Sequence, residues 1–314
     1  MKPIIPRIDR RLIKQELTRA CFVRKTNNGS NDIYIVTIHD APNTLREIGR
    51  LREVTFRYAG GGTGLDCDLD EYDYGDVPYK QLIVWSPQEE EIIGGYRFIA
   101  CRDAVQNGCV RLATARLFNF SPTFVKEYLP YTIELGRSFV QPRYQPSAHN
   151  RKGLFSLDNL WDGLGAIVVD NPHIRYFFGK VTMYRHYQPL ARDLILAFMN
   201  HYFPDPDHLV WPIHPLPVVH DVSDFIKSLD DLPYKEGHHL LNQQVRNLGE
   251  NIPPLFNSYM NLSATMKTFG TALNPHFGEV EETGIMVTIN DIYPSKKERH
   301  INSYLKEKAG RNLF

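Results

Sequence analysis

The stretch Tyr131-Thr132-Ile133-Glu134-Leu135-Gly136-Arg137-Ser138-Phe139-Val140 constrains the fold more than any other part of the chain. β-Branched and aromatic residues, with apolar side chains at every second position, mark it as a strand. Side chains in a regular strand alternate with period two, which puts Ile133, Leu135, Arg137 and Phe139 on one face and Glu134 on the other. A glutamate and an arginine three positions apart in an apolar strand, with a glycine between them, need a physical reason. Gly136 offers one: glycine inside a strand often marks a bulge, and one extra residue shifts the register so that both charges face one site. The alternative is a strand near a sheet edge whose charges pair with their neighbours, because structural ion pairs use the same residue types.

The elements before this strand carry further charges in apolar settings. Asp9 to Val23 has a helical pattern, and after the turn from Thr26 to Asp32 the run Ile33–Ile38 reads as a strand. Pro42 opens a helix that continues to Tyr58, with Leu45, Ile48, Leu51 and Val54 on one stripe. Glu47/Arg50 and Glu53/Arg57 sit at pairing distance on its surface. The glycine run Gly60–Gly64 ends the helix. It is not a phosphate loop, because it follows a helix, lacks a lysine at the required spacing and leads into acidic sequence.

That acidic sequence, Asp66 to Asp76, imitates a calcium loop. It has Glu71 where the sharp-turn glycine belongs and Val77 where the closing glutamate belongs, so the calcium reading fails. It reads either as a solvated acidic loop or as a recognition loop for a cationic or amine-bearing substrate. Gln81–Trp85 and Glu91–Cys101 form a hairpin in which Gly94-Gly95 suggests a bulge or a close backbone approach. Arg97 lies among Tyr96, Phe98 and Ile99, and if buried it requires a carboxylate partner. Phe118–Leu129 reads as a short helix or turn.

Beyond the central strand, a polar loop from Pro142 to Lys152 carries Arg143, Arg151 and Lys152 and leads into a helix over about Leu154–Val168. Basic residues beside the free amides of a helix N-terminus make an anion site. Strands are expected at Tyr176–Tyr184, Leu209–Ile213 and Gly284–Ile292, and helices at Gln188–His201, Tyr234–Leu248 and Pro253–Met266. The tail from Ser295 is basic; a solvated helical face is the default, and contact with anionic lipid headgroups is the functional alternative.

Composition narrows the class. A hydrophobic fraction of 42% and a charged fraction of 23% over 314 residues suit a globular protein with ample core. Zero formal net charge gives no call for nucleic acid. Four cysteines without a CxxC pair point to a reducing, cytoplasmic setting and away from disulfides or structural zinc. Met1–Arg7 has no apolar signal core, and no run approaches the roughly 18 residues that span a bilayer. The histidines lack an HExxH context, so no metal is expected, and no GxSxG elbow or base-paired cysteine supports a covalent nucleophile.

The order is helix with Arg52 and Phe56, acidic loop with Asp70 and Asp73, hairpin with Arg97, then Glu134 and Arg137. In that order and spacing the chain resembles the GNAT-type acyltransferases that use acyl carrier protein. Two branches share the pattern: acyl-homoserine-lactone synthases, and the N-acyltransferases of ornithine-lipid and glycine-lipid synthesis, often labelled haemolysin-like. The segments Ile133–Val140 and Ile252–Met260 are closest to the lipid-forming branch, and the resemblance runs from about Ile33 to Ile292. It implies an α/β, GNAT-like acyl-CoA N-acyltransferase fold, a central mixed β-sheet flanked by helices. The whole chain, 1–314, would be one domain with a core over about 33–213 and a C-terminal helical elaboration over about 214–314.

The resemblance also implies chemistry. A fatty or 3-hydroxyfatty acyl group would pass from acyl carrier protein, or coenzyme A, to the amine of glycine or ornithine in aminolipid synthesis, with no bound cofactor. Glu134 would be the base, and a backbone N–H at the Gly136 bulge would face the donor carbonyl. Arg52, Phe56, Asp70, Asp73, Arg97 and Arg137 would form the substrate site, and Arg143, Arg151 and Lys152 would contact the donor. The family's pyrophosphate loop is replaced by Gln145–Gly153, which suits a carrier-protein donor better than tight coenzyme A binding. The protein would be cytoplasmic, with peripheral contact at the inner face of the membrane as an option. Lactone synthesis from S-adenosylmethionine, and non-enzymatic membrane lysis, are the competing expectations.

Overall fold

A computed structural model of the chain describes residues 1–106, 108–145 and 155–311. The chain divides into two compact units. The first comprises Met1–Ala113, Tyr131–Arg175 and Tyr293–Phe314; the second comprises Thr114–Pro130 and Tyr176–Ile292.

The first unit contains α1 (Arg10–Glu16), β1 (Phe22–Lys25), β2 (Asp32–Val36), α2 (Pro42–Tyr58), β3 (Lys80–Ser86) and β4 (Glu91–Ala100). The short strands β5 (Val105–Gln106) and β6 (Cys109–Val110) follow, then β8 (Thr132–Val140), α3 (Ser156–Asp170), α8 (Pro294–Lys297) and α9 (Ser303–Arg311). Its sheet runs β1-β2-β3-β4-β8, each neighbour antiparallel to the next. Cross-strand partners share a face, so Gln81 with Arg97, Arg97 with Gly136 and Ile99 with Glu134 set Gln81, Arg97, Glu134 and Gly136 on one side. Helix α2 covers that side, as the Arg52–Gln81 contact at 3.4 Å shows. Helix α3 packs on the opposite face, where Gly163 leaves room for Leu82.

Helix α2 has the bounds its sequence signals. Proline stands in its first turn, where the missing N–H costs nothing, and Gly60, at φ 91°, lets the chain turn away in a conformation side chains disfavour. Its paired glutamates correct one expectation. Glu47 and Glu53 are buried, not on the surface. Glu53 accepts from Arg57 at 2.7 Å and also from the Thr63 and Gly64 backbone at 3.0 and 2.8 Å, so it pins the glycine run against the helix.

The second unit contains β7 (Phe118–Phe120), β9 (Tyr176–Met183), α4 (Pro189–Tyr202), β10 (Val210–Pro212), α5 (Ser223–Leu229), α6 (Tyr234–Asn247), α7 (Pro254–Met260), β11 (Lys267–Asn274) and β12 (Val280–Thr288). Strands β9, β12 and β11 pair antiparallel in that order, and β10 pairs with β7. Phe118, Phe124, Phe178 and Phe269 fill its core.

Several expected elements change. The helix read over Asp9–Val23 stops at Glu16, and its last residues enter β1. The helix read over Pro253–Met266 stops at Met260, and β11 was not anticipated because Gly270, at φ 80°, breaks its alternation with a register shift. The basic tail is not simply a solvated face: Arg299, His300 and Lys308 bond Asp158, Asp162 and Asp170 of α3 at 2.6, 2.7 and 2.6 Å. No helix among the described residues is long and apolar enough to cross a membrane.

Candidate active site

The acidic loop folds inward, which overturns its solvated reading. Gly49, one turn before Arg52 on α2, is the reason. A Cβ there would stand 2.7 Å from both Cys67 Sγ and Leu69 Cγ, so only glycine lets the loop lie directly on the helix. The Asp68 N–H donates to the Gly49 carbonyl at 3.1 Å, and Asp68 and Asp73 are fully buried.

Three arginines from three elements converge on this loop. Arg52 of α2 donates to Asp68 at 3.1 Å and to Asp73 at 3.0 Å. Arg97 of β4 donates to Asp70 at 2.6 Å and Asp73 at 3.1 Å. Arg137 of β8 pairs with Asp68 at 2.9 Å and lies 3.8 Å from Asp70. Gln81 completes the lattice by donating to Asp73 at 2.9 Å. Three guanidinium groups thus face three carboxylates, and their formal charges cancel. Burial alone would push the Asp68 carboxyl up, but Arg137 and Arg52 outweigh it and hold it below the usual carboxylate range. Asp73 is likewise lowered, with Arg52 and Arg97 overcoming burial. Arg97 is raised in turn, its aspartate partners outweighing desolvation.

Strand β8 carries the expected bulge. Arg97 pairs with Gly136 and Gly95 with Phe139, so Arg137 and Ser138 on β8 stand opposite the single residue Tyr96 of β4. The left-handed residue is Arg137, at φ 49°, not Gly136. A non-glycine residue in that region is sparsely populated and costs about 1–3 kcal/mol; here its side chain is fixed by Asp68. Gly94 and Gly95 on β4 mark a close approach as anticipated, since a Cβ on Gly94 would run into the Phe139 carbonyl oxygen and one on Gly95 would lie 2.6 Å from that of Leu82.

Glu134 sits two residues before Gly136 on the same face and is buried. Its carboxylate accepts from the Tyr79 hydroxyl, and from the Ala113 N–H at 3.3 Å. The same Ala113 N–H lies 3.0 Å from the Tyr79 oxygen. Burial first, then the neighbouring Glu134 charge, raises the Tyr79 phenol, which therefore stays protonated and donates. The Tyr79 ring also lies 5.2 Å beneath the Arg97 guanidinium. One loop thus delivers both the aspartates that hold the arginines and the phenol that holds Glu134.

The remaining anticipated residues lie elsewhere. Phe56 is buried one turn beyond Arg52 on α2. Arg143 pairs with Glu91 at 2.9 Å and Glu89 at 3.3 Å, at the β3–β4 turn; Arg7 and Arg10 reach the same Glu91 at 2.7 and 2.6 Å. Arg151 and Lys152 lie outside the described residues. Three members of the cluster were not singled out from sequence: Asp68, Tyr79 and Gln81. Alternating acids at 66, 68 and 70 marked an acidic loop but not which carboxylate turns inward, and that choice is made by the tertiary contact at Gly49.

A bulged strand with a buried carboxylate beside a helix-borne ion network is the arrangement that the GNAT resemblance implied, and the GNAT acetyltransferase domain matches residues 51–151. Curated relatives narrow this further. The chain is 52% identical to a glycine N(alpha)-acyltransferase of Phocaeicola vulgatus, over 98% of this chain and 95% of that protein. It is 51% identical to a glycine N(alpha)-acyltransferase of Bacteroides thetaiotaomicron, over 98% of this chain and 91% of that one. The protein belongs to their family and is an N-acyltransferase. Among solved structures, a CoA-dependent acyl-homoserine lactone synthase, BjaI, solved with SAM and isopentyl-CoA, aligns at 16% identity with a TM-score of 0.30, covering 52% of this chain and 72% of that one.

Proposed function

We propose that the protein transfers a fatty acyl group from an acyl-carrier-protein thioester to the amine of glycine, as a step in aminolipid synthesis. The observation that carries this reading is the bulge in β8 at Arg137 and Ser138, three residues after the buried Glu134. The amine attacks the thioester carbonyl and loses a proton, the C–S bond breaks, and the thiolate leaves and is protonated. Glu134, held by the neutral donors Tyr79 and Ala113, takes the amine proton directly or through a water. A backbone N–H at the bulge stabilises the oxyanion as the carbonyl becomes tetrahedral.

Glycine is favoured over ornithine on two grounds. The relatives are glycine acyltransferases by name. The loop's inward carboxylates, Asp68, Asp70 and Asp73, are already matched by Arg52, Arg97 and Arg137, so they are committed before a second substrate amine arrives. A carrier-protein donor is favoured because Gln145–Gly153 lacks the glycine pattern of a pyrophosphate loop.

The test is an assay of purified protein with acyl-carrier-protein thioester or acyl-coenzyme A, and glycine, ornithine or S-adenosylmethionine as co-substrate. Acylglycine from the carrier thioester is expected. Acylornithine or a lactone as the dominant product would replace the acceptor, and faster turnover with coenzyme A would replace the donor. Glu134→Gln should lower turnover by about 10²- to 10⁴-fold, the usual contribution of a positioned base. Wild-type turnover in that variant would remove Glu134 as the base.

A further inference from the structure

Gly136 is an unusual glycine for a strand. Its φ lies outside the left-handed region, so its backbone does not require glycine. A Cβ built on it meets nothing within 4 Å, so packing does not require glycine either. Glycine in a strand interior forfeits packing and chain stiffness, and an alanine would fit here by every local criterion. The contrast with Gly94, Gly95 and Gly163 is direct, because a Cβ on any of those would meet backbone or a side chain closer than 3 Å.

The open space lies in a specific place. Gly136 faces the same side as Glu134, and successive same-face residues on a strand stand about 7 Å apart. Arg97 is its cross-strand partner, and Arg137 follows it at the bulge. Gly136 is half-buried, whereas Glu134, two residues earlier on the same face, is sealed. Of the three guanidinium groups of the ion lattice, Arg52 and Arg97 have side chains only 1% and 3% exposed, whereas Arg137 keeps 14%. The buried Arg97 Nε has no hydrogen-bond acceptor among the described residues.

We propose that the space over Gly136 is the seat of the acceptor amino acid, with its amine toward Glu134 and its carboxylate toward the solvent-reachable Arg137. The absent side chain at 136 is what keeps this seat open, because a Cβ there would occupy volume that the acceptor takes. This deepens the acyltransferase reading above and rests on it.

The experiment is a steady-state comparison of wild type, Gly136→Ala and Gly136→Val, with KM measured separately for glycine and for the acyl-carrier-protein thioester, and Tm by thermal unfolding. The expected result is a glycine KM raised at least tenfold in Gly136→Ala and further in Gly136→Val, with the donor KM within twofold and Tm no lower than wild type. An unchanged glycine KM would overturn the proposal, as would a rise confined to the donor KM, which would give the space to the acyl thioester. If Gly136→Val lowers Tm, Gly136→Ala alone decides between the two. Glu134→Gln is assayed beside them: full turnover there with a raised glycine KM in Gly136→Ala would remove the base and leave the seat, whereas lost turnover there with an unchanged KM in Gly136→Ala would do the reverse.

Discussion

A carboxylate at 1% exposure, as Glu134 is, can serve a reaction only if its orientation is fixed while it still has room to receive a proton. Tyr79 fixes one oxygen, and the phenol stays protonated because burial and the adjacent charge both disfavour its ionisation. Its hydroxyl is therefore a positioning group for the base and not an acid in its own right. Tyr79→Phe removes that donor while keeping the ring under Arg97, and a hydrogen bond to a charged group contributes about 1.5–3 kcal/mol. Turnover should fall about tenfold, the loss that about 1.4 kcal/mol corresponds to, with the KM for glycine within about twofold, because the contact is made to Glu134 and not to substrate. A kinetic profile in which KM rises and kcat is preserved would mean that Tyr79 binds substrate instead. Asp68 carries the opposite emphasis. It holds Arg52 and Arg137 at once, and removing one partner from a buried pair costs about 3–5 kcal/mol because the remaining charge is left uncompensated. Asp68→Asn should therefore lower the urea midpoint markedly as well as reduce activity, and unchanged stability would show the pairing to be energetically idle.

At the scale of elements, the site depends on one approach, the acidic loop against α2 at Gly49. Alanine in a helix interior is normally favoured over glycine by about 1 kcal/mol. Here the added methyl would stand 2.7 Å from Cys67 and Leu69, and overpacking of that kind costs about 1–3 kcal/mol. The clash is against a loop held by buried ion pairs, so it outweighs the propensity, and Gly49→Ala should destabilise the protein and weaken activity together. A gain in Tm with normal activity would show that the loop can retreat freely. The same contact explains what could be read in advance. Helix α2 was legible to its bounds because Pro42 and Gly60 are local signals, and the bulge in β8 was legible because Gly136 breaks an otherwise apolar strand. The identity of the inward aspartate was not, since Asp66, Asp68 and Asp70 are equivalent by pattern and differ only in what lies above them. The site assembled from α2, the loop, β4 and β8 therefore combines readable elements with a placement that only packing decides.

Over the whole molecule, buried carboxylates held by cations recur in both units. Asp68 and Asp73 in the first unit are lowered by arginines despite burial, and Asp193 in the second is lowered, also despite burial, by hydrogen bonds from His220 and Arg192. The direction fixes how stability responds to acid. A carboxyl whose folded pKa lies below its unfolded value binds fewer protons when folded, so stability rises with pH across that interval. The contribution is complete above the ordinary value of 3.8 and is lost as pH falls through the lowered folded values. Urea midpoints should thus be level from about pH 7 to pH 5 with respect to these groups and fall steeply below about pH 4. Asp68→Asn should flatten the fall, because one of the groups that must be protonated has been removed. Salt offers an independent check on burial: surface pairs are screened over about 8–10 Å at physiological ionic strength, whereas sealed pairs are screened much less. Raising salt at pH 7 should leave the midpoint nearly unchanged. A midpoint that drops with salt, or that is insensitive to acid down to pH 3, would mean that the arginine–aspartate lattice does not hold the folded state together.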